Sequence, residues 1–408
     1  METATKKIPS GYKSSPLGII PEDWEVKRLG EVCTFHNGRA YNQKEFLSSG
    51  KYRVLRVGNF FTNSSWYWSD MELEDDKYAN NGDLLYAWSA SFGPRFWEGE
   101  RVIYHYHIWK IDSFNKISKD FLYSFLLYDA TKLTNTLQGG TMTHVTKENM
   151  EKRSIAVPPL PEQQRIVSLL SLWDTAIAKQ TALIEKLTLR KRGLMQQLLT
   201  GKKRLKGFGG EWKEVRLGEI GVFFKGGGVP KDKITDTGNK CLTYGDLYTK
   251  YDFVISGVKS YIDDDTANES VKILYGDICF AGSGETKEDI GKCAAFIDNE
   301  FGYAGGDIIV FRATDYNPIT LSYILNSNDV IRQKSNMGQG HSVVHIYPYQ
   351  LEKLMIKLPS RAEQDAIATI LIESDKEIEI QKQKLTALQE QKKGLMQVLL
   401  TGKRRVTI

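Results

Sequence analysis

The sequence contains one peptide twice, as Lys191-Arg-Gly-Leu-Met-Gln-Gln-Leu-Leu-Thr-Gly-Lys-Lys-Arg204 and as Lys392-Lys-Gly-Leu-Met-Gln-Val-Leu-Leu-Thr-Gly-Lys-Arg-Arg405. Eleven of the fourteen positions are identical, and the second copy lies 201 residues after the first. An identity of this length within one chain indicates an internal duplication rather than chance. The 408 residues, enough for two to three domains, therefore predict two copies of one structural unit.

Each repeated peptide closes a long predicted helix. Apolar residues upstream of it step alternately by four and three positions, which is the 3.5-residue spacing of a coiled-coil seam. Pro161 and the capping-box pattern Ser360-x-x-Glu363 mark the helix starts, and Gly201 and Gly402 mark the stops. The predicted seam consists of Ile166, Leu170, Ile177, Gln180, Leu187 and Leu194 in the first copy and Ile367, Leu371, Ile378, Gln381, Leu388 and Leu395 in the second.

A long helix with a single apolar stripe needs a partner, and its own copy is the nearest candidate. We expect an antiparallel coiled coil about a pseudo-twofold axis, with Gln180 and Gln381 near that axis, where a polar pair fixes the register. Parallel packing, or packing of each helix on its own globular part, stays open at this point.

The part before each helix varies more in length. The segment starting at Gly82 matches the one starting at Gly276 at an offset of 194, and Trp24 matches Trp212 at an offset of 188. Residue composition predicts strands at 53–57, 102–109 and 307–311 and helices at 121–128 and 319–325.

The predicted fold class is α+β, with two mixed α/β domains joined by two long helices that form the antiparallel coiled coil. The predicted boundaries are a first domain at 1–157, a first helix at 158–200, a linker at 201–210, a second domain at 211–358 and a second helix at 359–402.

Composition excludes several classes of protein. Hydrophobic residues make up 41% and charged residues 26%, which are globular values, and no apolar run approaches the roughly 18 residues of a membrane span. The start lacks the apolar core of a secretory signal, so we expect a cytoplasmic protein. Four scattered cysteines predict neither a disulfide framework nor a cysteine zinc site.

The net charge of +5 is small, but seven basic residues and no acidic one lie between Arg190 and Lys206. Such a run is either a phosphate contact or a solvated helix end.

Catalytic signatures are missing. There is no Walker loop, no His-Glu-x-x-His and no adenine methyltransferase motif. Asp277, Glu285 and Lys287 have the letters of a nuclease metal centre, but the first copy lacks the glutamate, which favours an accident. His105 and His107 would alternate on one strand, and we favour hydrogen-bonding histidines over a zinc site. We therefore predict no catalytic residue and no metal ligand.

Gly-rich loops with polar and aromatic side chains stand at corresponding places in both copies. Such side chains contact base edges and phosphates, although ordinary turns explain part of them. Different side chains on one scaffold indicate two different targets. The candidate DNA-binding residues are Arg39, Tyr41, Asn42, Trp88, Ser89, Arg95, Thr141, Thr143, Lys225, Lys231, Ser283, Thr286, Lys287, His341 and Ser342.

Over nearly its whole length, the sequence resembles the specificity subunit of a type I restriction-modification system. The residues that carry this resemblance are Pro159-Leu-Pro-Glu-Gln163, the Gly-Leu-Met-Gln-x-Leu-Leu-Thr-Gly-Lys endings at Gly193 and Gly394, the Gly82-Asp-Leu-Leu-Tyr-Ala-Trp-Ser89 segment, and the openings Trp24-Glu-Val-Lys-Arg-Leu-Gly30 and Trp212-Lys-Glu-Val-Arg-Leu-Gly218.

The resemblance implies two target recognition domains, each of which reads one half of a bipartite, asymmetric double-stranded DNA target. It implies that the helix pair sets the spacer between the halves and docks two modification subunits, which are DNA adenine methyltransferases. ATP-dependent restriction subunits, acting as translocase and nuclease, would complete the complex. Catalysis, S-adenosylmethionine, magnesium and ATP would then belong to the partners, with no cofactor in this chain. Two rivals stay open: an enzyme with its own nuclease or methyltransferase centre, and a structural adaptor that does not bind DNA.

Overall fold

A computed structural model describes residues 8–61, 64–89, 91–136, 145–227, 229, 231–340 and 343–407. The chain divides into two compact units. The first unit consists of Met1–Thr181 with Gln383–Ile408, and the second of Ala182–Lys382. Each of the two long helices therefore contributes one part to each unit.

The first unit combines short strands with helices. Its strands are β1 (Tyr12–Ser15), β2 (Gly18–Pro21), β3 (Glu25–Arg28), β4 (Thr34–Asn37), β5 (Tyr52–Leu55), β6 (Tyr67–Ser69), β7 (Tyr78–Ala79), β8 (Leu84–Ser89), β9 (Ser91–Phe96), β10 (Val102–Tyr104), β11 (Ile108–Asp112) and β12 (Ser154–Val157). Its helices are α1 (Leu29–Val32), α2 (Val57–Phe61), α3 (Lys119–Thr136), α4 (Lys147–Glu151) and the first part of α5 (Leu160–Leu198).

The second unit repeats this plan. Its strands are β13 (Lys213–Arg216), β14 (Gly221–Lys225), β15 (Asn239–Leu242), β16 (Val254–Ile255), β17 (Ser260–Ile262), β18 (Val271–Ile273), β19 (Ile278–Ala281), β20 (Ser283–Gly284), β21 (Cys293–Phe296), β22 (Gly302–Ala304), β23 (Ile308–Ala313), β24 (Val344–His345) and β25 (Met355–Leu358). Its helices are α6 (Tyr244–Thr249), α7 (Asp264–Asn268), α8 (Pro318–Leu325), α9 (Asn328–Met337), α10 (Pro348–Leu351) and the first part of α11 (Arg361–Leu399).

The sheets of the two units correspond in order. In the first unit, one sheet runs β4-β11-β8-β9 and another runs β6-β5-β10-β7, and β12 pairs with β3. In the second unit, the matching sheets run β14-β23-β19-β21-β16 and β17-β15-β22-β18, and β25 pairs with β13. The parallel pair β5–β10 has its counterpart in the parallel pair β15–β22. The duplication read from the sequence is therefore a duplication of topology.

The central strand of each unit is buried on both faces. Along β8, Leu84 and Tyr86 enter one apolar cluster while Leu85 enters a second cluster on the opposite face. Along β19, Phe280 enters one apolar cluster and the neighbouring Cys279 enters another on the opposite face. Successive side chains of a strand point to opposite faces, so a strand with two covered faces reads as a continuous apolar run.

The two long helices run antiparallel, as predicted. In the first unit, Ile166 near the start of α5 shares an apolar cluster with Leu399 at the end of α11. In the second unit, Ile367 near the start of α11 shares a cluster with Leu198 at the end of α5. Ile166 also packs in the same cluster as Trp24, so each helix start lies on its own globular part as well. The predicted seam residues of both copies are all buried or half-buried.

Both helices end where glycine was expected to end them. Gly201 and Gly402 adopt left-handed backbone conformations, with φ of 68° and 69°, which terminate a helix without strain in glycine. The helices predicted at 121–128 and 319–325 lie within α3 and α8 and are confirmed.

Three local predictions were wrong. The strand predicted at 102–109 is interrupted, because Ile108 N donates to His105 O at 2.9 Å and closes a turn between β10 and β11. His105 and His107 therefore do not alternate on one strand. The strand predicted at 53–57 stops at Leu55, and α2 begins two residues later.

The capping box at the start of α11 is only half formed. Ser360 Oγ accepts from the backbone N–H of Glu363 at 3.4 Å, as a capping residue does. The Glu363 carboxylate is instead bound by Arg204, through Nε at 2.8 Å and a second nitrogen at 2.6 Å. The glutamate thus joins the start of one long helix to the end of the other. Across the described residues, no helix is long and apolar enough to cross a membrane.

Candidate nucleic-acid interface

Three chain segments meet at one end of the β4-β11-β8-β9 sheet in the first unit. Gly38, just after β4, donates its N–H to Ile108 O at 3.3 Å. Trp88, near the end of β8, donates its N–H to His107 O at 3.1 Å. The turn between β10 and β11 is closed by the Ile108–His105 bond. We call residues 38, 88 and 105–107 the first loop junction.

The second unit builds the same junction with the same three backbone hydrogen bonds. Gly226 N donates to Ile308 O at 2.8 Å, Gly282 N donates to Asp307 O at 2.6 Å, and Ile308 N donates to Gly305 O at 3.3 Å. We call residues 226, 282 and 305–307 the second loop junction. The two junctions share a backbone frame and differ in side chains. The first presents Trp88 and the turn His105-Tyr106-His107, whereas the second presents Gly282 and the turn Gly305-Gly306-Asp307.

Aromatic rings surround the first loop junction. The Trp88 and His107 rings meet edge to face, with centroids 5.0 Å apart. The His105 ring stacks on Tyr41 at 6.3 Å, and Tyr41 stacks in turn on Phe46 at 5.3 Å. Aromatic rings of this kind stack on bases through their ring faces, and they can also contact the methyl group of thymine.

Positive charge lies over the same rings. The Arg39 guanidinium is 4.6 Å from the centroid of Tyr41, and Arg56 is 5.5 Å from that of Phe46. Arg39 is also ion-paired with Glu45, so among the described residues the uncompensated charge beside these rings is that of Arg56. Burial, assisted by the nearby His107 and Arg56, lowers the pKa of His105 to about 4. The imidazole of His105 is therefore neutral near pH 7, with one nitrogen able to donate a hydrogen bond and the other able to accept one.

The predicted residues of the first unit are only partly brought together. Arg39, Tyr41 and Trp88 belong to the aromatic group, and Asn42 caps the following turn by accepting from Lys44 N at 3.1 Å. Ser89 is buried, and Arg95 lies further along β9, where its guanidinium donates to the Phe60 carbonyl. Thr141 and Thr143 lie outside the described residues.

In the second unit, the candidate residue Ser283 lies in a strand pair formed by β20 and β24. Ser283 in β20 and His345 in β24 face each other, and Ser283 Oγ is hydrogen-bonded to His345 Nδ1 at 2.9 Å. Thr286 Oγ1 donates to Asp289 Oδ2 at 2.7 Å, which holds the tip of that loop, and Lys287 is exposed. Lys225 lies at the end of β14 and Lys231 in a short turn at Lys231–Lys233, whereas His341 and Ser342 fall outside the described residues.

Part of the basic run at 190–206 is engaged in structure. Lys191 of α5 pairs with Asp375 of α11, and Arg204, which follows the end of α5, pairs with Glu363 at the start of α11. Those charges are therefore committed to helix pairing and are not free for phosphate. Four other members of the run remain exposed, namely Arg192, Lys202, Lys203 and Lys206.

The residues that suggested a nuclease centre do not form one. Asp277 is 1% exposed, and its two carboxylate oxygens accept from the Arg312 guanidinium at 2.8 and 2.7 Å. A carboxylate neutralised in this way is not available to a metal ion, and Glu285 is exposed. Within the described part of the chain, no three His, Cys, Asp or Glu side chains are grouped to hold a metal.

Sequence reasoning missed two junction residues, Tyr106, which is 38% exposed, and Asp307. It also missed Arg56 in the group of rings around the first loop junction. The turn at 105–107 was read as strand, so its side chains were not counted as loop residues. The signal that could have found them is the alignment of the two copies, in which the tripeptides 105–107 and 305–307 differ between otherwise matching strands.

Comparison with known proteins follows the same division of the chain. The profile of the family described as "Type I restriction modification DNA specificity domain" matches residues 21–189 and 209–390. The chain is 25% identical over 417 residues to the type I restriction enzyme MjaVIII specificity subunit of Methanocaldococcus jannaschii, covering 95% of this chain and 94% of that protein. It is 26% identical over 442 residues to the putative MjaX specificity subunit of the same organism, covering 97% of each.

Solved structures share the fold. One, from work on complex assembly and conformational transition of a type I R-M system, superposes with a TM-score of 0.62 at 17% identity, covering 94% of this chain and 99% of that one. The type I restriction-modification S subunit from M. genitalium gives a TM-score of 0.53 at 14% identity, covering 98% of this chain and 99% of that one.

Proposed function

The chain belongs to the family of type I restriction-modification DNA specificity subunits with two target recognition domains in tandem, and on that premise we propose that each loop junction binds one half of a bipartite, asymmetric double-stranded DNA target. One observation carries this proposal: both units hold the same three backbone hydrogen bonds while presenting different side chains. Two units that read different DNA sequences need the same backbone frame with different side chains on it.

The chemistry of the junctions suits DNA. Trp88, Tyr41 and the histidine turn offer ring faces and imidazole nitrogens, and Arg56 supplies positive charge beside them. Arginine and neutral imidazole can bind base edges in the major groove or phosphate oxygens. The glycines of the second junction allow its own loops to approach one another closely.

The helix pair sets the distance between the two half-targets in this proposal. It also docks two modification subunits, which are DNA adenine methyltransferases, and the restriction subunits join that complex as ATP-dependent translocase and nuclease.

In this proposal the chain has no catalytic site of its own and acts in the cytoplasm, and S-adenosylmethionine, magnesium and ATP are bound by the partner subunits. The Asp277–Arg312 pair supports this assignment because it occupies the carboxylate that a nuclease centre would need.

Long-read methylation sequencing of a strain that expresses the chain with its modification subunits tests the proposal. We expect one bipartite methylated sequence. Exchange of residues 30–150 for those of another family member should change one half of that sequence and leave the other half intact. A simultaneous change in both halves would contradict independent reading by the two units.

Two controls address the rival functions. The purified chain, incubated alone with duplex DNA, magnesium and S-adenosylmethionine, should neither methylate nor cleave it, and either reaction would favour an enzyme with its own centre. The complex with the modification subunits should retain its target duplex with an affinity that falls steeply as salt rises. Failure to retain DNA would favour a structural adaptor.

A further inference from the structure

Asp307 is held in an unusual backbone conformation at the second loop junction. Its φ is 60°, in the left-handed region that residues other than glycine rarely adopt. Its carbonyl accepts from Gly282 N at 2.6 Å, and the next residue closes the turn on Gly305 O at 3.3 Å. Strained residues that are fixed by their surroundings concentrate at functional sites.

The neighbours of Asp307 are required to be glycines. A Cβ at Gly226 would lie 2.3 Å from Gly305 O, and one at Gly305 would lie 2.9 Å from Leu242 O. A Cβ at Gly282 would lie 3.0 Å from the carbonyl of Asp307 itself. The loops approach one another so closely that they leave no room for side chains. Four of the five residues of this junction are glycines, so Asp307 supplies its only side chain.

That side chain is exposed and uncommitted. Within the residues that the structure describes, the Asp307 carboxylate has neither a hydrogen-bond donor nor a cation as partner. A lone carboxylate beside DNA is repelled by the phosphates unless a base donates to it. In the major groove, the exocyclic amino groups of cytosine N4 and adenine N6 are such donors.

From this geometry we propose that Asp307 is a specificity-determining residue, and that it selects a base with an exocyclic amino group at one position of the half-target read by the second unit. The inference rests on the proposed function and deepens it. His107 holds the corresponding place in the first unit, where its carbonyl accepts from Trp88 N at 3.1 Å. An imidazole can donate as well as accept, so the two half-targets should differ at the equivalent position.

The variant Asp307→Asn tests the assignment. Asparagine has nearly the same shape and tolerates the left-handed conformation, but its amide adds donors where the carboxylate only accepts. A matched control exists in Asp315→Asn: Asp315 is also exposed, also has a positive φ of 65°, and lies in the same unit outside the junction. Asp307→Gly is a second variant, which removes the carboxylate and relieves the backbone.

The measurement is competitive binding of the complex of chain and modification subunits to its methylated target sequence and to duplexes with each base pair replaced in turn. Asp307→Asn and Asp307→Gly should lower discrimination about fivefold or more at one adenine or cytosine position of one half-target. Asp315→Asn should leave every position unchanged. Three outcomes would overturn the assignment. Discrimination could stay unchanged in both Asp307 variants, it could fall equally at all positions, or Asp315→Asn could have the same effect as the Asp307 variants. A wild-type complex without sequence preference would overturn the proposed function itself, before any variant is compared.

Discussion

The ammonium group of Lys191 on α5 is ion-paired with the carboxylate of Asp375 on α11. The lysine side chain is only 10% exposed and lies 4.6 Å from the ring centroid of Phe253, and the other oxygen of Asp375 accepts from the Tyr323 hydroxyl. The first unit repeats the pair with Lys392 and Asp174. A largely buried lysine finds its aspartate in one register only, so we expect these pairs to fix the alignment of the helices within each unit.

A double-mutant cycle should measure this coupling. Lys191→Met and Asp375→Asn each leave one polar partner without the other, and their interaction free energy should be about 1–3 kcal/mol in urea unfolding of the chain. Arg190 and Glu377 provide the control, since they pair across the same helices but are 53% and 43% exposed. Their coupling should stay below about 1 kcal/mol because solvent screens it. Equal coupling in the two cycles would contradict a register role for Lys191.

The long helices were predictable because their spacing is local: a seam of 3.5 residues and a closing glycine can be read from one stretch of chain. The partners of Lys191 and Lys392 were not, because 184 and 218 residues separate them from Asp375 and Asp174. Both lysines interrupt the apolar seam, and that interruption was the available signal. The expectation that Gln180 and Gln381 fix the register stays a prediction.

The candidate DNA-binding loops were predictable from the sequence only in part, for the same reason. Glycine-rich composition located Arg39, Tyr41 and Trp88, and the structure brings these three into one aromatic group. The turn at 105–107 has the composition of a strand, but Ile108 N closes it on His105 O, and Gly38 and Trp88 from elsewhere in the chain donate hydrogen bonds to its end. Tertiary hydrogen bonds of this kind leave no local mark in the sequence.

Removal of the Arg405 side chain should destabilise the first unit selectively. Glu162 is fully buried and is bound by Arg405 at 2.7 Å and by Trp24 Nε1 at 3.0 Å. Arg405→Ala leaves a buried carboxylate with one neutral donor, which should cost about 3 kcal/mol. Hydrogen exchange should rise in residues 8–181 and remain unchanged in 182–382. Arg404→Ala, at an exposed neighbour, is the control and should change neither. Equal effects of the two substitutions would rule out a specific role for the buried pair.

A charge in the helix seam should destabilise the unit around it. Leu170 is 3% exposed, and Leu170→Asp buries an unpaired carboxylate, so the free energy of unfolding should fall by about 3 kcal/mol or more. Leu172→Asp, two residues along the same helix, places the same group where the leucine is 64% exposed and should cost less than about 0.5 kcal/mol. The measurement compares the urea unfolding midpoints of the two variants. Similar midpoints would mean that Leu170 is not packed in the seam.

Acid should weaken the first loop junction through His105. Its pKa is about 4 in the folded chain, against an ordinary value of 6.5. Between these values the unfolded chain binds a proton that the folded chain does not, so stability is complete above pH 6.5 and is lost as pH falls toward 4. The loss should be at most about 3 kcal/mol. His105→Gln should remove this part of the pH dependence, as measured by urea midpoints at pH 7.5 and 4.5. If the urea midpoints of the wild-type chain and of His105→Gln fell equally between pH 7.5 and pH 4.5, His105 would be solvated rather than buried.

Lengthening both long helices should lengthen the spacer of the DNA target. Seven residues preserve the seam, because seven is two steps of its 3.5-residue spacing, and they extend each helix by about 10 Å. The expected change is an increase of about three base pairs at roughly 3.4 Å each. Insertions at equivalent points, after Thr181 in α5 and after Lys382 in α11, lie at the boundaries between the two units and leave the junctions intact. Methylation sequencing should show both half-targets unchanged in sequence and farther apart. An unchanged spacer in a complex that still methylates DNA would show that something other than helix length fixes the distance.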